Sequence, residues 1–424
     1  MNILYLSQYF PPEMGAPAGR AAELSRLWAE DGHEVTILTG FPNHPTGIVH
    51  PRYRRKFRRQ LVMHENHYGV NVVRTWLLPF PNRKAYERML NYSSFCISAA
   101  TTGMFLHQPE LVIASSPQLL VGLSGWWLAR CNGVPFVFEV RDLWPESLAA
   151  VGVSSHNSPL HRLLAKIAGF LYRSCDRLVV VTPAFKEYLV EHWQVPDEKI
   201  FVVENGVETS LFSRLTPSAA LRHAVGAEEK FVVSYIGTMG NAHGLETLLE
   251  AAALLRERAP EVLFLLIGEG AEKARIVSLA HSRGLTNVRF VGQQPREKIP
   301  AYITASDACL VLLKKSELFK TVLPTKMLEF MSCARPVILG VDGHARRVVE
   351  QANAGIFVTP EDSAELADAI LRLAADPALR ESLGRNGRQH VLQHFSRQQT
   401  ARIYLDVLQD LLARDQRFAP AAIA

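Results

Sequence analysis

The sequence predicts an α/β fold built from two successive open parallel sheets, and three observations carry that expectation. Short apolar runs alternate with helical patterns from Asn2 onward, as strands joined by crossover helices do. The alternation restarts at Phe231-Val-Val-Ser-Tyr-Ile-Gly237, so the chain holds two similar halves rather than short repeats. The length of 424 residues suits two or three domains, and 48% hydrophobic with 21% charged residues excludes a disordered chain. The five cysteines form no CxxC pair and are odd in number, which argues for a reducing compartment over a disulfide framework or a zinc site. Asn2–Ser7 reads as a strand without a basic leader, so no signal peptide is expected. No apolar run reaches the roughly 18 residues of a membrane span, so any membrane contact is expected to be peripheral.

Strand 2–7 leads through a proline- and glycine-rich loop, Gln8–Arg20, to a helix over about 20–31 and a strand at Glu34–Thr39. This βαβ opening puts the loop at the strand's carboxyl end. Gly15 and Gly19 are not spaced as G-x-G-x-x-G, which speaks against a dinucleotide site; they let backbone approach a ligand, or simply turn the chain. Phe41–Gly47 is a second stiff loop, whose His44 either touches substrate or is solvated. Between His50 and Leu90 ten basic residues face two acidic ones, a local excess of eight against five for the whole chain. Trp76, Phe80, Tyr86 and Met89 lie among or beside them. Basic residues beside aromatics suit an anionic membrane surface or a lipid diphosphate; nucleic acid and a solvated charge run are the alternatives. A long, increasingly apolar helix is expected over 85–106. Strands at Glu110–Ser116 and Pro135–Glu139 flank a helix at about 118–130. The second strand runs into Glu139-Val-Arg-Asp-Leu-Trp-Pro-Glu146, and strand carboxyl ends are where such sheets bind ligands. Helix 159–174, strand Arg177–Thr182, helix 184–193 and a strand from Ile200 complete this half. Residues 216–229 read as a linker or lead-in helix.

In the second half, the loop Gly237-Thr-Met-Gly-Asn-Ala-His-Gly-Leu-Glu246 has the glycines that let backbone turn under a phosphate, with a helix from about Gly244. Strands follow at Leu263–Gly270, Asn287–Gly292 and Asp307–Leu313. Pro324-Thr325 then breaks the chain, Thr325 being a candidate cap, and Met327, Leu328, Phe330 and Met331 give a short one-sided helix. Lys326 and Glu329, three apart, lie near each other on its surface. A helix start at a sheet edge with a lysine beside it seats a phosphate, and a carboxylate one turn in can accept two hydrogen bonds from a ribose diol. An ordinary capped core helix is the other reading. Strand Pro336–Leu339, a helix from Gly343, strand Gly355–Val358 and helices at about 362–374, 377–392 and 397–413 end the chain, the last with Ile403, Val407 and Leu411 on one face.

The stretch Leu318–Leu339 resembles the sugar-nucleotide site of family-4 retaining glycosyltransferases. Their motif is a Glu, seven residues, a second Glu, a small-residue turn and Pro-Val-Ile. Glu329 falls on the second Glu, the ribose ligand, while the position eight earlier is Thr321. The Pro-x-Lys-x-x-Glu pattern resembles a subgroup that builds O-antigen and capsule repeats, including N-acetyl-L-fucosamine transferases. The resemblance implies a GT-B fold: two Rossmann-like domains facing a central cleft, with the last helix crossing back to the first. Asn205-Gly206-Val207 resembles the family's domain junction, implying an acceptor-side domain at 1–205 with 397–424 and a nucleotide-sugar domain at 206–396. Relatives carry cations where this chain has Thr238 and His243, so Lys326 and two helix N-termini would have to compensate. The resemblance further implies Thr238, Gly240, Thr325 and Lys326 near the diphosphate, Gly268 against the nucleotide and Gly292 near uracil. It puts His243 at the transferred sugar, and Gly15 and Asp142 toward the acceptor hydroxyl. The implied reaction is retaining transfer of an N-acetylated or deoxy hexose from a UDP-sugar to a polyprenyl-diphosphate-linked glycan in surface polysaccharide synthesis, such as lipopolysaccharide. No cofactor and no metal are expected, since no Asp-x-Asp occurs. The expected location is cytoplasmic, at the inner face of the plasma membrane through the basic 52–59 segment, with no nucleic acid partner. A GT-B sugar-nucleotide epimerase, a non-catalytic sugar-nucleotide-binding protein and a nucleic-acid-binding protein are the alternatives.

Overall fold

A computed structural model describes residues 1–44, 46–81, 85–146, 158–216 and 218–418. The chain divides into two compact units, Met1–Glu204 with Gln398–Ala424, and Asn205–Arg397. Strands of the first unit are β1 Asn2–Leu6, β2 Glu34–Gly40, β3 Val62–His67, β4 Val70–Thr75, β5 Leu111–Ser115, β6 Phe136–Val140, β7 Arg177–Val180 and β8 Ile200–Val202. They form one sheet in the order β3-β4-β2-β1-β5-β6-β7-β8. The second unit holds β9 Phe231–Ile236, β10 Val262–Ile267, β11 Val288–Val291, β12 Ala308–Leu312, β13 Val337–Gly340 and β14 Gly355–Phe357, in the order β11-β10-β9-β12-β13-β14. Every neighbouring pair is parallel except β3–β4. Strands such as β5, β6, β10 and β12 are buried along their whole length, which is why they read as continuous apolar runs. The strand order reverses beside β1 and beside β9. Ligand crevices open outside the carboxyl ends of the strands at such switch points, so the loops after β1, β5, β9 and β12 are the ones placed to act.

The core of the first unit joins Ile3, Tyr5, Ile37, Ile113 and Val137 to Leu24 and Trp28 of helix Ala16–Glu30 and to Tyr404 and Leu408 of the last helix. That helix, Arg397–Phe418, is tied in by Trp28, whose Nε1 donates to the Ala401 carbonyl at 3.1 Å and whose ring meets Tyr404 edge-on at 5.3 Å. Arg177 adds an ion pair to Asp410. The face it buries is wider than expected: Val407 and Leu411 are buried with Tyr404 and Leu408, but Ile403 is 43% exposed.

The first helix starts at Ala16 rather than Arg20 because Pro17 sits in its first turn, where a missing N–H and a fixed φ cost nothing. The 216–229 segment contains a helix, Ala219–Ala224, capped by the Ser218 side chain. The basic stretch holds the antiparallel β3–β4 pair, turned at Tyr68 and Gly69 with φ of 51° and 84°, the primed turn that suits a hairpin's twist. One of its ten cations is internal. Arg74 is 1% exposed, pairs with Glu65 at 2.7 Å, donates to the carbonyls of Gly40 and Pro11, and lies 4.8 Å from the Tyr53 ring centre. Two others, Arg83 and Lys84, lie outside the described residues.

Candidate functional site

Beyond β9 the chain turns at Gly237, with φ of 144°, into the loop that carries Thr238, Gly240 and His243. The loop after β10 lies against it backbone to backbone. A Cβ on Gly268 would stand 2.0 Å from the Gly237 carbonyl oxygen, and one on Gly270 2.3 Å from that of Met239. Met239 N–H donates to Glu269 O at 2.8 Å across the same seam. The two loops therefore form one rigid backbone surface.

Helix Thr325–Ser332 meets that surface. Met327, Leu328, Phe330 and Met331 are fully buried in the core, which leaves Lys326 and Glu329 on the other side. Lys326 Nζ lies 4.2 Å over the Tyr235 ring and 3.1 Å from its hydroxyl, to which it donates. The Tyr235 hydroxyl in turn donates to Thr238 O at 2.6 Å. A Cβ on Gly237 would come within 3.1 Å of the ammonium, so Lys326 sits directly under the turn. Burial pushes its pKa down to about 7, against the opposing pull of Glu329. The helix starts at Thr325 itself, with Pro324 in the cap position and no side-chain cap; Thr325 is a first-turn residue, not the cap its side chain suggested. Glu329 lies 3.4 Å from Arg296, which sits over the Phe212 ring at 5.1 Å. Thr321, at the position of the family's first Glu, donates to Leu318 O at 2.6 Å and so holds its own turn.

His243 packs edge-on to Tyr235 at 6.0 Å between ring centres, and its Nδ1 accepts from Gly240 N–H at 3.3 Å. Burial, and then Lys326, push its pKa down to about 3. It is a neutral imidazole at working pH, able to hydrogen-bond but not to stand in for a missing cation. Lys314 ties the far side of the loop, donating to Asn241 Oδ1 at 2.6 Å. Gly292 follows β11 with 3.7 Å of room before Glu269 Oε1. Thr238, Gly240, His243, Gly268, Gly292, Thr325, Lys326 and Glu329 thus all lie at the carboxyl end of the second unit's sheet.

Gly15 and Asp142 belong to the first unit, in the segments after β1 and β6. Gly15 is exposed and adopts φ of 138° at the start of helix Ala16–Glu30, with no side-chain cap. Asp142 is pushed up to about pKa 6 by burial, with Arg141 opposing. Glu139 is structural: fully buried, it pairs with Arg20 at 2.9 Å and accepts from Tyr5 and Ser115 at 3.0 and 2.5 Å. Arg20 also donates to Val203 O and Glu204 O, both at 3.0 Å. Two residues escaped the sequence reading. Glu13 accepts from the Asn43 and His44 N–H groups at 2.9 Å each and clasps the loop after β1 to that after β2; burial pushes it up to about pKa 7. Tyr235 carries Lys326. Its only sequence signal is a hydroxylated ring near the end of a strand that is otherwise mostly apolar. Among the described residues no group of three or more His, Cys, Asp or Glu is placed to hold a metal ion.

Residues 15–206 match the family described as "Glycosyl transferase 4-like domain", and residues 219–390 match "Glycosyl transferases group 1". The chain is a glycosyltransferase. Among curated relatives of this glycosyltransferase is the putative colanic acid biosynthesis glycosyl transferase WcaI of Escherichia coli K12, 24% identical over 81% of this chain and 84% of that protein. Sucrose-phosphate synthase from Thermosynechococcus elongatus has a TM-score of 0.76 at 22% identity, covering 97% of this chain and 99% of its own. Anabaena Alr3699/HepE, solved in complex with UDP, has a TM-score of 0.72 at 19% identity, covering 97% and 100%. These likenesses bear out the GT-B fold expected from the resemblance. No helix of the described residues is long and apolar enough to cross a membrane.

Proposed function

We propose that this glycosyltransferase moves a hexose from a UDP-sugar, with retention, to a lipid-diphosphate-linked glycan in polysaccharide synthesis. The observation that carries the donor side is Lys326 on Tyr235 beneath the 237–238 turn, beside a helix start without a side-chain cap. A diphosphate there meets an ammonium and the free N–H groups of a helix end. Glu329, one turn in, accepts the ribose diol, and Gly268 and Gly292 keep backbone close to the nucleoside. UDP in HepE and the role in WcaI's name support this reading. Breaking the bond from C1 to the diphosphate oxygen leaves negative charge on the leaving UDP, so fixed donors at that point lower the barrier most. The acceptor oxygen bonds to C1 on the same face and its proton passes to the leaving phosphate. Asp142 orients the acceptor hydroxyl and Gly15 lets the acceptor approach backbone. His243, neutral, hydrogen-bonds the sugar.

The lipid side of the proposal rests on the first unit's surface. Arg52, Arg54, Arg55, Lys56, Arg58 and Arg59 are exposed, and Leu61 after them is 71% exposed. Phe57 stacks on Trp76 at 6.2 Å, and the Trp76 carbonyl accepts from Ser98 of helix Ala85–Gly103. That helix and its neighbours Val121–Asn132 and Pro159–Ser174 leave Ile97, Trp127 and Leu163 exposed, and the latter two helices contain no acidic residue. Basic and apolar groups side by side suit an anionic lipid surface. The deciding experiment is calorimetric titration of UDP into wild type and Glu329→Ala. Binding weakened at least tenfold in the variant supports the donor site, and unchanged affinity overturns it. Flotation with anionic but not neutral vesicles supports the lipid side; no flotation with either removes it.

A further inference from the structure

At the amino ends of the second unit's strands, where Asp307 and Pro336 precede β12 and β13, lies a cavity of about 230 Å³. Four arginines line it, Arg214, Arg335, Arg380 and Arg385, with two acidic residues, Asp307 and Glu381. Of the carboxylates, Asp307 is engaged outside the cavity and Glu381 is only loosely paired within it. Asp307 accepts from Val232 N–H at 2.8 Å and lies 3.4 Å from Arg222, outside the lining. Glu381 is exposed and stands 4.0 Å from Arg214, a surface pairing that fixes little. Arg380 is held rigidly: it donates to the Leu373 and Ala374 carbonyls at 2.6 and 3.1 Å and lies 5.2 Å from the Phe231 ring centre. Arg335 donates from one terminal nitrogen to Thr304 O at 2.5 Å, but its Nε is buried with no hydrogen-bond partner among the described residues.

The wall carrying these groups is fixed. Helix Pro377–His394, which bears Arg380 and Arg385, presses on the turn after Ser332: a Cβ on Gly384 would stand 2.3 Å from the Ala334 carbonyl. Arg388 adds a bond from that helix to Ser332 O at 2.5 Å. An orphaned buried N–H is costly, and like charges gathered in a rigid wall repel. A tetrahedral oxyanion relieves both, because its oxygens match the planar fork of a guanidinium. A water claims about 30 Å³ of liquid, so the cavity has room for a phosphate and a small group attached to it.

We propose that this cavity is a second anion site, for a phosphate-class dianion, either free or carried by a small phosphorylated metabolite. It is separate from the donor cradle, which lies after β9 and β10 at the other end of the strands. The test is a thermal-shift titration with inorganic phosphate, and with hexose 6-phosphate, against sodium chloride at matched ionic strength. Wild type, Arg385→Gln, Arg335→Gln and Lys326→Met are compared. Phosphate should raise the midpoint of wild type and of Lys326→Met, and the rise should be lost in Arg385→Gln, whose exposed side chain is not needed to fold. Loss in Arg335→Gln adds support if that variant folds. A stronger response to hexose 6-phosphate identifies a metabolite site, and an equal one a free-anion site; either supports the proposal. No rise beyond that of chloride overturns it. So does a rise that Arg385→Gln keeps and Lys326→Met abolishes, since the anion would then sit in the donor cradle.

Discussion

Lys326 shows what a buried cation costs the protein that holds it. Its ammonium is stripped of water and receives one ring face and one hydroxyl in return. A cation–π contact restores about 0.5–2 kcal/mol, less than the loss, and the pKa falls from 10.5 to about 7. For a base whose folded pKa is depressed, both states are protonated below pH 7, and the folded state bears the full cost there. The cost fades as pH rises from about 7 to about 10.5. Lys326→Met should therefore raise the melting temperature of the ligand-free enzyme near neutral pH, by up to a few kcal/mol of stability, while abolishing its response to UDP. A variant that is destabilised and still binds UDP would refute the role. In the proposed donor site the same shift would make nucleotide binding take up a proton. Above about pH 7 Lys326 is a largely neutral amine, and a diphosphate bound as proposed would recharge it. Calorimetry of UDP binding at about pH 8 in two buffers of different ionisation enthalpy should give enthalpies that differ by up to roughly one proton's worth, and Lys326→Met should remove any remaining heat. That Lys326 and Glu329 share a helix face was legible because a spacing of three on a helix needs no tertiary knowledge. Tyr235 was not, because its service to Lys326 joins β9 to a helix 91 residues further along the chain.

At the scale of elements, the cradle depends on two loops touching through backbone alone. Gly268 has φ of 140°, a region L side chains rarely adopt, and its missing Cβ is what admits Gly237 O. Gly268→Ala must push the loops apart, and is expected to cost on the order of 2–3 kcal/mol in stability and at least tenfold in UDP affinity. Gly244 has a φ of 53°, and a Cβ there would meet the Lys314 side chain at 3.3 Å and its backbone no nearer than 3.9 Å. Gly244→Ala should cost about 1 kcal/mol and leave UDP affinity within a few-fold. Paired melting and titration experiments check this; equal effects would mean that seam contact is unimportant. Elements buried on both faces were easy to read in the sequence, since β10 or β12 has no polar side to confuse the pattern. Helices announced by a side-chain cap and a proline were read to the residue or nearly so, as at Ser158 and Thr182. The β3–β4 pair escaped because its alternation is buried in a run of charge, and Arg74 hides inside a stretch that looks wholly solvated.

At the scale of the whole molecule, the fold class followed from the restart at Phe231, but the destination of the last helix did not follow from its periodicity. A spacing through Ile403, Val407 and Leu411 misplaces the buried stripe by one residue at its start, because Trp28 takes Tyr404 as its partner. Only the family resemblance indicated which unit the helix would join. Tyr404, Leu405, Val407, Leu408 and Leu411 are all buried in the first unit's core, and each contributes roughly 1.5–3 kcal/mol. Their sum is comparable to the entire stability of an ordinary domain, about 5–15 kcal/mol. A chain ending at Ser396 should therefore lose the first unit's cooperative transition and expose the face of Trp28. The second unit, whose sheet and core are complete without the last helix, should keep its own transition and its response to UDP. Scanning calorimetry with and without UDP, followed by tryptophan emission, checks both halves of the claim. Retention of both transitions at wild-type midpoints would show that the last helix is an accessory. Loss of both would show that the second unit's stability depends on the first, and that the donor cradle is only as firm as the core beneath Trp28.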